Sequence, residues 1–234
     1  MIDVNLLKKV CEIPGAPGFE QPIRSFILSH LEAYALKLST DTMGNVIAYK
    51  KGRSAKKLML AAHMDEISFI VTHIDDDGFI RFQPLGGFDP KTLTAQRVII
   101  HAKEDVIGVM ASKPIHIMTH EERRKAPELK DYFIDTGLKV EEVKKLVSVG
   151  APITRERELI EMGDCVNSKS IDNRVSVFVL LELMKSLSNE EVPFDVYGVF
   201  TVQEEVGIRG ATVAASAINP DYGIAIDTTI AYDL

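Results

Sequence analysis

Hydrophobic positions follow two regimes along the chain. Before residue 67 and after about 162, runs with helical spacing alternate with short apolar runs; between them, brief β-type runs alternate with turn residues. Asp3 to Ile13 predicts a short helix that ends at the Pro14–Gly18 segment, and Ile23, Phe26, Ile27 and Leu31 give Phe19 to Leu36 a helical period. Leu38 to Lys50, with Gly44-Asn45 at its bend, predicts a hairpin, and Leu58 to Ala62 a buried strand. From Ile67 to Glu161, runs such as Ser68–Thr72, Phe79–Phe82, Arg97–His101 and Val106–Met110 alternate with Gly, Asp and Pro turns, interrupted by one amphipathic helix at Val140–Val149. That pattern predicts a small β-barrel or sandwich inserted into a helix-and-strand domain. The charged segment Thr119–Asp131, with Pro127, predicts an exposed loop. Beyond Gly163 helix and strand alternate again, the helical run Val175–Leu187 preceding short strands that include Phe194–Phe200 and Tyr222–Ile226. The fold class expected is α/β: a mostly parallel sheet flanked by helices, formed by 1–66 and 162–234, with 67–161 as the β-rich insert.

Composition narrows the function. At 234 residues and 46% hydrophobic, the chain can bury a substantial core. A net charge of −7, without a basic, aromatic-studded stripe, argues against a nucleic-acid surface. Two cysteines, Cys11 and Cys165, make no disulfide framework and fit a reducing compartment. The N-terminus lacks a basic start followed by an apolar core, and no apolar run approaches the ~20 residues of a membrane helix. A cytoplasmic protein with no membrane partner is expected. There is no Gly-rich nucleotide loop and no nucleophile elbow. His116 and His120 are four apart, yet Ile117 follows the first instead of the zincin Glu, so they read as an exposed pair. His30, His73 and His101 read as structural.

Four segments carry chemistry. The strand Leu58–Ala62 runs into His63-Met-Asp65-Glu66; Asp172 opens the helical run before Val175; Phe194–Phe200 leads to Glu204-Glu205; and Tyr222–Ile226 ends at Asp227. Open α/β sheets carry their sites at the carboxyl ends of strands, and a divalent ion there takes imidazole nitrogen and carboxylate oxygen. The combination points to a co-catalytic metal centre in a hydrolase.

The segments Ala61–Glu66, Ser170–Arg174, Thr201–Ala211 and Ile226–Ala231 resemble, in order and spacing, the M42 family of metallo-aminopeptidases, itself similar to the wider co-catalytic zinc exopeptidases. The resemblance implies an aminopeptidase that removes N-terminal residues from peptides with a free N-terminus, using two divalent ions, zinc or cobalt, with manganese an alternative. His63 would bind one ion. Asp65, two residues on, suits the role of a carboxylate that fixes the His63 tautomer. Asp172 suits a bridge between ions ~3.5–4 Å apart; helix capping by Ser170 or Asp172 is the competing reading. Glu205 and Asp227 would be terminal ligands. The chemistry alone does not choose between Glu204 and Glu205; the resemblance assigns Glu204 as general base and Glu205 to the metal. Arg174 and Arg209 would orient carboxylates or substrate, or form ion pairs, and Gly207 and Gly210 would allow close backbone approach.

The resemblance also implies that 67–161 is a dimerisation domain from which relatives build larger homo-oligomers. In the family the second metal takes a last histidine from beyond the fourth motif, whereas none of the six histidines here follows His120. The expectation is a C-terminally truncated form of a longer enzyme, with one metal held well, the other a ligand short, little turnover and exposed apolar surface. Two alternatives remain: an impaired assembly or regulatory subunit, and a glycan hydrolase, since some relatives carry an endoglucanase label.

Overall fold

A computed structural model describes residues 2–232. The chain divides into two units, with the breaks at Glu66/Ile67 and Arg157/Glu158.

In the first unit, β1 (Lys37–Thr40), β2 (Val46–Lys50), β3 (Lys57–His63), β12 (Asp195–Thr201) and β13 (Tyr222–Ala225) form one sheet in the order β1-β2-β12-β3-β13. It is a mixed sheet: β12 and β13 run parallel to β3, and the β1–β2 hairpin adds the antiparallel edge. Parallel pairing on both sides gives β3 the uninterrupted apolar run Leu58–Ala62. Its side chains nevertheless alternate between two faces. Leu60 and Ala62 join Val46, Ala48, Val196 and Phe200 in the core shared with α1 (Val4–Glu12), α2 (Gln21–Leu31) and α4 (Ile171–Leu187). Met59 and Val199 pack instead with Ala214 and Ile218 of α5 (Arg209–Ile218). Helices therefore cover both faces of the sheet. Each fully buried large side chain here contributes roughly 1.5–3 kcal/mol.

Local chemistry sets the helix limits. The Asp3 carboxylate accepts the Leu6 N–H at 3.0 Å and starts α1. Helix α2 is shorter than its periodicity predicts: Leu31 is its last fully buried position, and the chain then turns toward β1 with Tyr34 and Leu36 still packed against the core. Leu159 is buried in the first unit's core, and its N–H donates to Glu12 at 2.8 Å, which ties Glu158–Glu161 to this unit. A two-stranded ribbon, β10 (Ile160–Met162) with β11 (Cys165–Asn167), follows; its residues are all exposed, so no burial pattern announced it.

The second unit is a closed antiparallel barrel. Its strands β4 (Ser68–Ile74), β5 (Ile80–Leu85), β6 (Arg97–His101), β7 (Asp105–Ser112), β8 (Tyr132–Asp135) and β9 (Pro152–Arg155) follow the order β4-β5-β8-β7-β6-β9. Inward residues such as Phe69, Val71, Ile80, Val98, Ile100, Met110, Ile134 and Ile153 fill it, joined by Val143 of α3 (Val140–Leu146) and by Val147. Helix α3 ends at Leu146, since Val147 is extended. Thr119–Asp131 is exposed but not featureless: it contains single 3₁₀ turns at Glu122–Arg124 and Leu129–Asp131. Among the described residues no helix is long and apolar enough to cross a membrane.

Candidate metal centre

The strand register brings the chemistry together. In the parallel ladder Thr201 of β12 lies opposite His63 of β3, so the Glu204-Glu205 loop leaves the sheet beside His63. Ala225 of β13 lies opposite Ala61, and the Ile226 N–H donates to the Ala61 carbonyl at 2.8 Å. Asp227 therefore emerges from the same edge. Asp172 reaches that edge at the start of α4, where Asp172 and Asn173 depart from helical backbone angles.

His63 is the hub. Its buried Nε2 lies 3.1 Å from Asp172 Oδ1, 3.8 Å from Glu204 Oε2 and 3.8 Å from Asp227 Oδ1. Two donor groups result, His63 with Asp172 and Asp227, and His63 with Glu204 and Glu205, each with its ligand atoms within 4.8 Å of one another. One imidazole nitrogen facing several carboxylate oxygens is a donor set that fits a hard or borderline divalent ion. The five side chains predicted as ligands or base thus share one site.

Electrostatics follow from this crowding. Burial pushes the His63 imidazole down, but hydrogen bonds to Asp172 and Asp65 and the charges of Asp65 and Glu204 outweigh it, raising its pKa to about 10. The hydrogen bond from His63 in turn holds Asp172 below its ordinary value. Burial raises Glu204, against the pull of His63, with Asp65, Asp227 and Asp172 adding to the rise. Glu205 is pushed up to about 7 by burial, again opposed by His63, with Asp172, Asp65 and Glu204 reinforcing the shift. Metal-free, the site holds protons that an ion would displace.

Asp65 divides its contacts. Its backbone carbonyl lies 3.2 Å from His63 Nδ1 and its Oδ1 3.4 Å away, both on the side of the ring opposite the carboxylate cluster. A proton on Nδ1 directed there leaves Nε2 free to ligate. The carboxylate itself accepts the N–H groups of Glu204 (3.0 Å) and Glu205 (3.1 Å), so it orders the loop that carries both acids. Ser170 is the residue before α4, yet its hydroxyl makes no cap; it lies against the Cys11 carbonyl and Glu66 instead. Arg174 is fully buried and orients no substrate: Nε donates to the Met64 carbonyl at 2.7 Å, and Nη1 to those of Ile13 and Val10. Arg209 donates to Gln203 Oε1 at 3.2 Å in an exposed position.

Two further residues hold the Glu204-Glu205 loop. Asn45 accepts the Val202 N–H at 2.9 Å and donates to the Gly210 carbonyl at 3.0 Å, bracketing the loop at both ends. Glu20, also buried, accepts the N–H groups of Gly18 (2.8 Å) and Gln203 (3.2 Å). The two glycines act differently. A Cβ on Gly210 would strike Asn45 and the Val202 backbone, whereas Gly207 has open space but a φ of +119°. The sequence marks Asn45 only as a turn residue, and Glu20 only as the acidic residue that opens a helical run. His116 and His120 are exposed in the second unit, outside this centre.

Comparison with known proteins agrees with this geometry. The profile of the M42 glutamyl aminopeptidase family matches residues 44–234. A lysyl aminopeptidase of Pyrococcus furiosus is 38% identical over 99% of this chain and 68% of its own length. Among solved structures, a TET aminopeptidase from a marine sediment Thaumarchaeota archaeon superposes with a TM-score of 0.94 at 36% identity, covering 99% of this chain and 67% of that one. The Pyrococcus horikoshii TET1 peptidase, which can assemble into a tetrahedron or a large octahedral shell, gives 0.88 at 32% identity, over 96% and 68%. The chain spans about two thirds of the length of the curated relatives it matches (67%, 66% and 68% for three of them). The family match across the four chemistry-bearing segments, with these relatives beside it, makes the chain a member of the M42 peptidase family.

Proposed function

We propose that this protein is a metal-dependent aminopeptidase acting on the free N-termini of peptides. The observation that carries this reading is His63 Nε2 facing Asp172, Glu204 and Asp227 at one sheet edge. In this reading His63, Asp172 and Asp227 hold one divalent ion, and a second draws on Asp172 and Glu205. When bound, such ions polarise the scissile carbonyl and lower the pKa of the attacking water. Glu204 takes the water's proton and passes it to the leaving amine; it lies at the same sheet edge, with Oε2 3.8 Å from His63 Nε2. Asp65 keeps the His63 ring oriented and the two acids in place. Zinc and cobalt are the metals expected, and the free state of Cys11 and Cys165 supports a reducing, cytoplasmic setting.

The barrel 67–157 is proposed as the self-association domain, by likeness to relatives that form shells. A monomer by light scattering would overturn that part. For the chemistry, aminoacyl-p-nitroanilides are assayed before and after chelation and after adding back zinc or cobalt. Such hydrolysis as the chain shows, even if slow, is expected to stop with chelation and return with metal. Hydrolysis indifferent to chelation overturns the reading. A glycan hydrolase could use a carboxylate pair but leaves His63 without a role; tight metal binding without turnover would indicate an assembly subunit.

A further inference from the structure

A second cluster of charge lies buried behind the centre. The side chains of Glu66 and Lys169 are 1% and 4% exposed, and Lys169 Nζ lies 2.6 Å from Glu66 Oε1 and 2.8 Å from Oε2. The Gly15 N–H donates to Oε1 at 3.2 Å, the Ser170 hydroxyl lies 3.1 Å from Oε2, and Arg174 Nη2 stands 3.8 Å from Oε1. Opposite charges taken out of water give little net stability, and well-packed apolar residues often replace them without loss. What such a pair does provide is a narrow range of separations.

Its placement gives that property a use. Glu66 lies three residues after His63 and Lys169 three before Asp172, so segments about a hundred residues apart in sequence meet twice, once at the donors and once at the pair. The β3 end is held by ladders on both sides. The segment from Lys169 to Asn173 has no ladder; Ser170 sits at φ +54° and Asp172 is not helical. Asn173 ties it to the Ile226 carbonyl on one flank at 2.9 Å, and Glu66 receives it on the other.

We propose that the buried Glu66–Lys169 pair is a positioning device that fixes the separation of His63 and Asp172, and so the affinity and geometry of the metal site. The inference rests on the metal reading of that site. The test uses the whole chain, with Co2+ as probe, in wild type, in the neutral double variant Glu66→Gln/Lys169→Met and in Lys169→Arg. Val177→Ala, a core truncation, is the reference for general destabilisation. The Co2+ dissociation constant, its visible absorption spectrum and the metal-free melting midpoint are measured for each.

Both pair variants are expected to bind Co2+ several-fold more weakly, bounded above by the roughly 10–100-fold that follows loss of a ligand's own hydrogen-bond partner. Their spectra should be altered, while Val177→Ala binds and absorbs like wild type. Lys169→Arg keeps the charge and decides the matter should the double variant fail to fold. Wild-type affinity and spectrum in the pair variants, or an equal loss in Val177→Ala, would overturn the positioning role alone. A wild type that binds no Co2+ would overturn the metal reading as well.

Discussion

Proton release on metal binding gives the sharpest test of the centre. With His63 raised to about 10 and Glu205 to about 7, the metal-free site at pH 7 carries one proton on His63 and about half a proton on Glu205. Seating an ion on His63 must expel its proton, and a second ion on Glu205 the remaining half, so about one proton should leave with the first ion and about 1.5 with both. An imidazole of ordinary pKa would release only about 0.2 at that pH. Between pH 6 and 8, displacing the His63 proton should strengthen the apparent affinity for the first ion ~100-fold, against ~4-fold for an ordinary histidine, and displacing the Glu205 proton that for the second ~10-fold. Isothermal titration of Co2+ or Zn2+ in two buffers of different ionisation enthalpy reads the protons directly. A release below about half a proton, or an affinity flat from pH 6 to 8, would refute the placement of His63 among charged carboxylates.

Linkage gives the same site a stability signature. A histidine raised in the folded state stabilises fully below its unfolded pKa of about 6.5, and that contribution is lost as pH rises toward 10. At roughly 1.4 kcal/mol per pH unit it amounts to at most about 5 kcal/mol. Glu205, a carboxyl raised to about 7, also makes the fold less stable as pH climbs through that value. The metal-free melting midpoint should therefore fall from pH 6 to pH 9.

Other outcomes follow from single side chains. Glu204→Gln should retain metal but lower turnover by ~10²–10⁴, the usual worth of a general base, whereas Glu205→Gln should weaken metal retention; exchanged phenotypes would exchange the roles. Asn45→Ala leaves the Val202 N–H and the Gly210 carbonyl without their partner, and should lower unfolding free energy by about 1–3 kcal/mol in denaturant titration. Gly210→Ala forces the same latch apart from the other side and should destabilise by about 1–3 kcal/mol. A wild-type melting curve for either variant would remove the latch from the account.

The side chains that meet at this sheet edge were legible in the sequence because each borders an apolar run, with His63, Glu204-Glu205 and Asp227 after one and Asp172 before one. Leu58–Ala62 announces its strand, and the residues after it are then at a sheet edge whatever the rest of the chain does. The supporting groups were not legible, because their meaning depends on partners far away in sequence. Asn45 meets Gly210 across 165 residues, Glu20 meets Gln203 across 183, and Lys169 meets Glu66 across 103. Periodicity reports only which face a residue shares with its neighbours.

The segment His63–Glu66 shows why so much had to lie nearby. As the chain leaves β3, His63 turns its Nε2 to Asp172, Glu204 and Asp227, and the Met64 backbone is fixed from both ends, its N–H by the Thr201 carbonyl and its carbonyl by Arg174. Asp65 then takes the Glu204 and Glu205 amides, and Glu66 takes Lys169. Consecutive side chains on an extended backbone point in different directions, so four neighbours can address different loops without competing for space. A metal centre must hold its donors to within a fraction of an ångström, and loops alone are loose. Anchoring the Glu204-Glu205 loop and the Asp172 segment to one rigid strand end makes the position of every donor a consequence of β3.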